Sequence, residues 1–112
     1  MKEIKAYIHR NRVADVIQAL KESAAWNGGA GNSRHNLTAY VVKGSLLALD
    51  SQERQYSVEL GEEVISEYKL ELVCADAQVD ELVRIIRENA RTGQAEAGWI
   101  YVVDIVQAVA VS

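Results

Sequence analysis

Proline and phenylalanine are both absent from this sequence, and cysteine occurs once. Without proline, turns must come from glycine, asparagine and aspartate; without phenylalanine, and with aromatics at only 6%, the core must be aliphatic. The lone Cys74 cannot close an intramolecular disulfide. No long hydrophobic run exists either, since Trp99 to Val111 is interrupted by Asp104 and Gln107 and falls short of the roughly 18 to 20 residues of a membrane-spanning helix. Met1-Lys2-Glu3-Ile4 leads into an alternating segment rather than the apolar core of a signal peptide, which together with the single cysteine predicts a cytoplasmic location. Basic charge is also short. Twelve Lys and Arg against sixteen Asp and Glu leave a net charge of -4, which argues against non-specific nucleic-acid binding.

What is there describes one globular domain over residues 1–112, with 49% hydrophobic and 25% charged residues. Ile4, Ala6 and Ile8 alternate with Lys5, Tyr7 and His9, predicting a strand over 2–9. Val13, Val16, Ile17, Leu20 and Ala24 recur at helical spacing. From Trp26 to Ser33, three glycines and two asparagines predict a loop. Leu37 to Val42 reads as a second strand, followed by a long polar excursion, and Ser66 to Cys74 as a third. Val79, Leu82, Val83, Ile86 and Ala90 predict a second helix, with Asp76 as its N-cap and Gly93 as its stop; Trp99 to Asp104 is the fourth strand. The apolar tail from Ile105 to Val111 must cover something. The order β-α-β-β-α-β predicts an α+β, ferredoxin-like sandwich with both helices on one face of an antiparallel sheet. Its other face would carry Lys5, Tyr7, His9, Lys69, Glu71, Val73, Trp99, Tyr101 and Val103, a mixture apolar enough to want a second subunit.

Fold alone does not assign a function, so the residues must. The third strand lacks the basic, glycine-containing, aromatic pattern of an RNA-recognition sheet. His9, His35 and Cys74 are too far apart in sequence for paired metal ligands, and are read as a core cysteine with two surface histidines. No Gly-x-Ser-x-Gly turn or evident triad is present, so no catalytic residue is assigned. Gly28-Gly29-Ala30-Gly31 precedes a strand, not a helix, and is therefore weak as a dinucleotide motif. With Arg34 and His35 behind it, the segment could close over a small anion through backbone amides and a guanidinium, although a plain surface loop is the simpler reading.

The most informative string is Ala90-Arg91-Thr92-Gly93-Gln94-Ala95-Glu96-Ala97-Gly98-Trp99-Ile100-Tyr101. It resembles the C-terminal signature of the PII signalling family, Ala-Arg-Thr-Gly-x-x-Gly-Asp-Gly-Lys-Ile-Phe. Met1 to Ile8 with Val13 to Leu20 resembles the family's opening strand and helix, and Thr38 to Val42-Lys43-Gly44 its second strand entering the T-loop. The resemblance covers nearly the whole chain, with an inserted glycine-rich segment at about 26–36 and a T-loop at about 44–64. It implies a non-enzymatic homotrimer that binds adenine nucleotides between subunits and moves its T-loop onto a transporter, enzyme or regulator. By position, Thr38, Gly44, Glu71 and Val73 would line the adenosine side, and Glu96, Ala97, Gly98 and Trp99 would meet phosphate. Arg54 and Tyr56 are the T-loop's candidates for partner contact.

The departures narrow the expected ligand. Ala97-Gly98-Trp99 stands where the family has Asp-Gly-Lys, and Ala110 and Ser112 stand at two phosphate-binding arginines. Three lost cations should hurt ATP most, which predicts ADP or AMP, with Arg91 or Arg34 replacing some of the charge and Trp99 stacking on a ring or filling a subunit contact. Ala48 and Glu67 occupy the positions of the 2-oxoglutarate glutamine and lysine, and Leu60 that of the uridylylated tyrosine, so ordinary nitrogen sensing is not expected. One remaining reading is an inorganic-carbon branch that senses bicarbonate at Arg34 and His35. The other is a nucleotide-free structural or metal-tolerance trimer of the same fold.

Overall fold

The computed structural model describes residues 1–27, 35–44, 55–57, 59–60, 62–95 and 97–112. Its elements are β1 (Lys2–Ile8), α1 (Val13–Glu22), α2 (Ala24–Asn27), β2 (Thr38–Gly44), β3 (Gln55–Ser57), β4 (Glu62–Cys74), α3 (Val79–Asn89) and β5 (Trp99–Asp104). The sheet runs β2-β4-β1-β5, with all neighbours antiparallel, which is the expected ferredoxin-like α+β plan. A short β3, which the sequence pattern does not announce, pairs with the start of β4, as in Tyr56 opposite Glu63. β4 is accordingly 13 residues long, four more than the alternation from Ser66 suggests. At about 3.3 Å per residue it spans roughly 43 Å.

Period-two burial on β1 sends Ile4, Ala6 and Ile8 towards the helices, where they meet Leu70 and Leu72 of β4. Val16 and Leu20 of α1 and Leu82, Ile85 and Ile86 of α3 close the same core. Each fully buried Leu or Ile contributes roughly 1.5 to 3 kcal/mol, and these elements hold together without a large aromatic centre. Arg12 precedes α1 and donates from Nε and Nη2 to the Asn89 carbonyl at 3.0 and 2.9 Å, so a residue beside one helix caps the end of the other. Ser23 both ends α1 and starts α2: its hydroxyl donates to the Leu20 carbonyl at 2.7 Å and accepts the Trp26 amide at 3.2 Å.

Several expectations are corrected. Both histidines are buried rather than on the surface: His9 is 2% exposed and next to Asn11, and His35 is 4% exposed. The His35 ring stacks on Trp26 at 4.2 Å between centroids, its Nδ1 donates to the Val73 carbonyl at 2.8 Å, and its own carbonyl accepts the Val73 amide. Trp26 is therefore helical and packed, not part of a loop. Asp76 does not cap α3; its carboxylate accepts from the Met1 amine at 2.7 Å, and a 3-10 turn at Asp76–Gln78 leads into the helix. α3 stops at Asn89, four residues before Gly93, because Ala90 already closes it. β1 ends at Ile8, so His9 leaves the uncovered face. Beyond the half-buried Ile105 the apolar tail stays exposed in the single copy, Val106 and Val111 almost wholly and Val109 to 74%.

Candidate functional site

The loop from α3 to β5 is shaped by two glycines with different jobs. Gly93 sits at φ +85°, a left-handed conformation that reverses the chain after the helix, and the Thr92 hydroxyl accepts the Gln94 amide at 3.2 Å within that turn. Gly98 is forced by close approach: a Cβ there would stand 2.7 Å from the Tyr7 carbonyl oxygen of β1. The close contact seats β5 against β1, with Trp99 opposite Tyr7. Between the end of α3 and this junction lies a groove of about 210 Å³. Arg87, Arg91, Thr92, Gln94, Gly98 and Trp99 line it, and none of its described lining residues is a carboxylate. Sequence reading singles out Arg91, Ala97, Gly98 and Trp99, and the structure brings them together. It misses Arg87, which looks like ordinary polar surface of an amphipathic helix. The signal lay in its spacing, one turn before Arg91.

The second group lies on the opposite sheet edge. Thr38 faces Glu71 across β2 and β4, and Tyr40 faces Lys69. The Tyr40 hydroxyl donates to Glu71 Oε1 at 2.8 Å; Lys69 Nζ lies 3.1 Å and Lys5 Nζ 3.9 Å from the same oxygen. Lys69 Nζ also sits over the rings of Tyr7 and Tyr40, at 5.4 and 5.5 Å, and Tyr7 meets Tyr101 edge-on at 6.0 Å. Glu71 is thus already engaged in a polar network on the uncovered face. The Tyr40 hydroxyl and then the Lys69 ammonium lower its carboxyl below the usual range, while Tyr40 and then Glu71 raise the Lys69 ammonium.

The sign of each shift fixes its pH window. Stabilisation by Glu71 is present above its ordinary carboxylate range and lost as pH falls through its lowered folded value. Stabilisation by Lys69 is present below the ordinary lysine range and lost as pH rises through its raised folded value. Because both groups are solvent-screened, Glu71→Gln is expected to lower the melting temperature at pH 7 by only about 1 to 4 °C. That deficit should begin to shrink as pH falls below the ordinary carboxylate range and vanish once pH has passed the lowered folded value. Melts followed by circular dichroism test this, and a deficit that does not shrink as pH falls contradicts it.

Val73 is tied to His35 by two hydrogen bonds, and Gly44 closes β2. Tyr56 lies on β3; Arg34, Arg54 and Glu96 fall outside the described residues. Burial pushes the Cys74 thiol up, away from the thiolate that ligation or attack requires. No group of three or more His, Cys, Asp or Glu suited to a metal occurs among the described residues, and none of the described helices is long and apolar enough to cross a membrane.

Within one copy, Thr38 on β2 and Trp99 on β5 are separated by β4 and β1, three inter-strand gaps or about 14 Å, whereas Glu71 on β4 lies one strand from Tyr7 of β1, which lines the groove.

The family model described as "Nitrogen regulatory protein P-II" matches residues 1–112. "Nitrogen regulatory protein P-II 1" of Methanothermobacter thermautotrophicus (strain Delta H) is 28% identical over 109 residues, covering 97% of this chain and 87% of that protein. "Nitrogen regulatory protein P-II" of Porphyra purpurea is also 28% identical over 109 residues, covering 97% and 89%. With a whole-chain family match on a ferredoxin-like sheet that carries the Arg91-Thr92-Gly93 turn, the chain belongs to the PII family of regulatory signalling proteins.

Proposed function

We propose that this chain is a non-enzymatic, cytoplasmic PII-like signalling protein. It assembles as a homotrimer, binds ADP or AMP in preference to ATP between copies, and acts on a transporter, enzyme or regulator through the segment at about 44–64. The observation that carries this reading is that Thr38 and Gly44 on β2 and Trp99 on β5 lie on opposite edge strands of the sheet, in a chain that matches the family from end to end. Copies set edge to edge join Thr38 and Gly44 of one to the Arg91–Trp99 groove of the next. The same arrangement covers Trp99, Tyr101 and Val103, each between 43 and 50% exposed in the single copy. Trp99, Ala110 and Ser112 at the family's cationic positions favour a ligand with fewer phosphates.

Calorimetric titration with AMP, ADP and ATP, each with and without bicarbonate, tests the reading, with 2-oxoglutarate plus Mg as comparison. ADP and AMP are expected to bind more tightly than ATP, and 2-oxoglutarate to change nothing. Bicarbonate that tightens ADP would identify an inorganic-carbon effector, by linkage between the two ligands. That arm now rests on Arg34, because the His35 ring is packed against Trp26. Tighter ATP overturns the predicted preference. A folded trimer that binds no nucleotide overturns the whole reading in favour of a structural or metal-tolerance scaffold.

A further inference from the structure

Resting on that reading, we propose that Arg87 anchors the phosphate end of the ligand and forms a two-guanidinium clamp with Arg91. The charges on α3 are unevenly used. Arg84 binds Glu88 at 3.1 Å and approaches Glu81 at 4.0 Å, whereas neither Arg87 nor Arg91 has a hydrogen bond or ion pair among the described residues. A guanidinium in the last helical turn is ordinarily explained by the exposed carbonyls there. The last of those carbonyls, that of Asn89, is already held by two nitrogens of Arg12, and neither Arg87 nor Arg91 is bonded to any of them among the described residues. Two like charges four residues apart repel, and an anion between them removes the repulsion.

Two depressions border this pair. The outer one, along α3, also contains Asp80 and Glu88, which oppose an anion. The inner groove beside Trp99 has no carboxylate among its described lining residues, although the chain as a whole is acidic. Its volume of about 210 Å³ lies below the roughly 300 to 1,000 Å³ of sites that enclose a drug-sized ligand, so it suits a phosphate group and leaves the nucleoside outside. Guanidinium forks match phosphate oxygens in pairs, and two of them balance a mono- or diphosphate better than a triphosphate.

The test compares Arg87→Gln with Arg84→Gln, titrating each assembled protein with ADP, adenosine and inorganic pyrophosphate at low salt. Arg87→Gln is expected to weaken ADP and pyrophosphate about tenfold or more and to leave adenosine unchanged, with Arg87→Lys intermediate. Arg84→Gln should change none of the three. Arg87 is exposed, so an unaltered melting temperature certifies the fold. ADP binding that Arg87→Gln does not affect overturns the clamp and leaves the nucleotide reading standing. Arg87-dependent pyrophosphate binding without ADP binding does the reverse. Failure of the wild type to bind either overturns both.

Discussion

Tyr101→Glu is expected to yield a folded chain that sediments as a single 12.4 kDa copy and binds ADP at least about a hundredfold more weakly. Tyr101 lies on the sheet face away from the helices, half exposed, and its ring meets Tyr7 edge-on. Removing it costs the single copy little, because the core that α1 and α3 close is on the other face. In an assembly the same position becomes interior. A carboxylate placed among Trp99, Val103 and their counterparts loses its water, and burying an unpaired charge costs several kcal/mol at each repeat of the interface. Tyr101→Phe keeps the apolar body and should preserve both assembly and binding. A Tyr101→Glu protein that still sediments as an oligomer would mean that this face is not the subunit contact.

Gly98→Ala is the second large effect, and it acts inside one chain. The added methyl would lie 2.7 Å from the Tyr7 carbonyl oxygen, which belongs to the backbone of a central strand and cannot swing aside as a side chain could. The start of β5 must move away from β1, disturbing the pairing of Tyr7 with Trp99. Overpacking of this kind costs about 1 to 3 kcal/mol, a fall of roughly 5 to 15 °C in melting temperature for a domain of this size. Since the same movement widens the groove beside Arg91, ADP affinity should fall with stability. Gly93→Ala is a useful contrast: a Cβ there meets nothing within 4 Å, and its cost comes only from the positive φ. Equal melting temperatures for Gly98→Ala and wild type would show that β5 tolerates the shift.

Much of the fold was legible because alternation on β1 and β4 and the helical repeat on α3 report burial directly. Ile4, Ala6 and Ile8 face the helices as the period requires, and so do Leu70, Leu72 and Cys74. Tertiary partners were not legible. His9 and His35 are polar letters in polar surroundings, yet both are buried, one hydrogen-bonded to Asn11 and the other stacked on Trp26. Asp76 is a good N-cap by type, but the Met1 amine across the sheet holds its carboxylate instead. In the candidate site, motif resemblance located Arg91, Ala97, Gly98 and Trp99. Arg87 escaped because a motif reads consecutive residues, whereas a groove collects residues from a helix turn, a loop and two strands.

The central claim is that the nucleotide site is shared between copies, and mixed assemblies test it most directly. Thr38→Asp damages the β2 side and Arg87→Gln the α3 side, so each variant alone should bind ADP weakly. Unfolded together in equal amounts and refolded, the two should regain wild-type sites at about a quarter of all interfaces, the fraction in which an intact β2 edge meets an intact α3 groove. A mixture that binds no better than either variant alone would place both halves of the site on one chain and contradict this account.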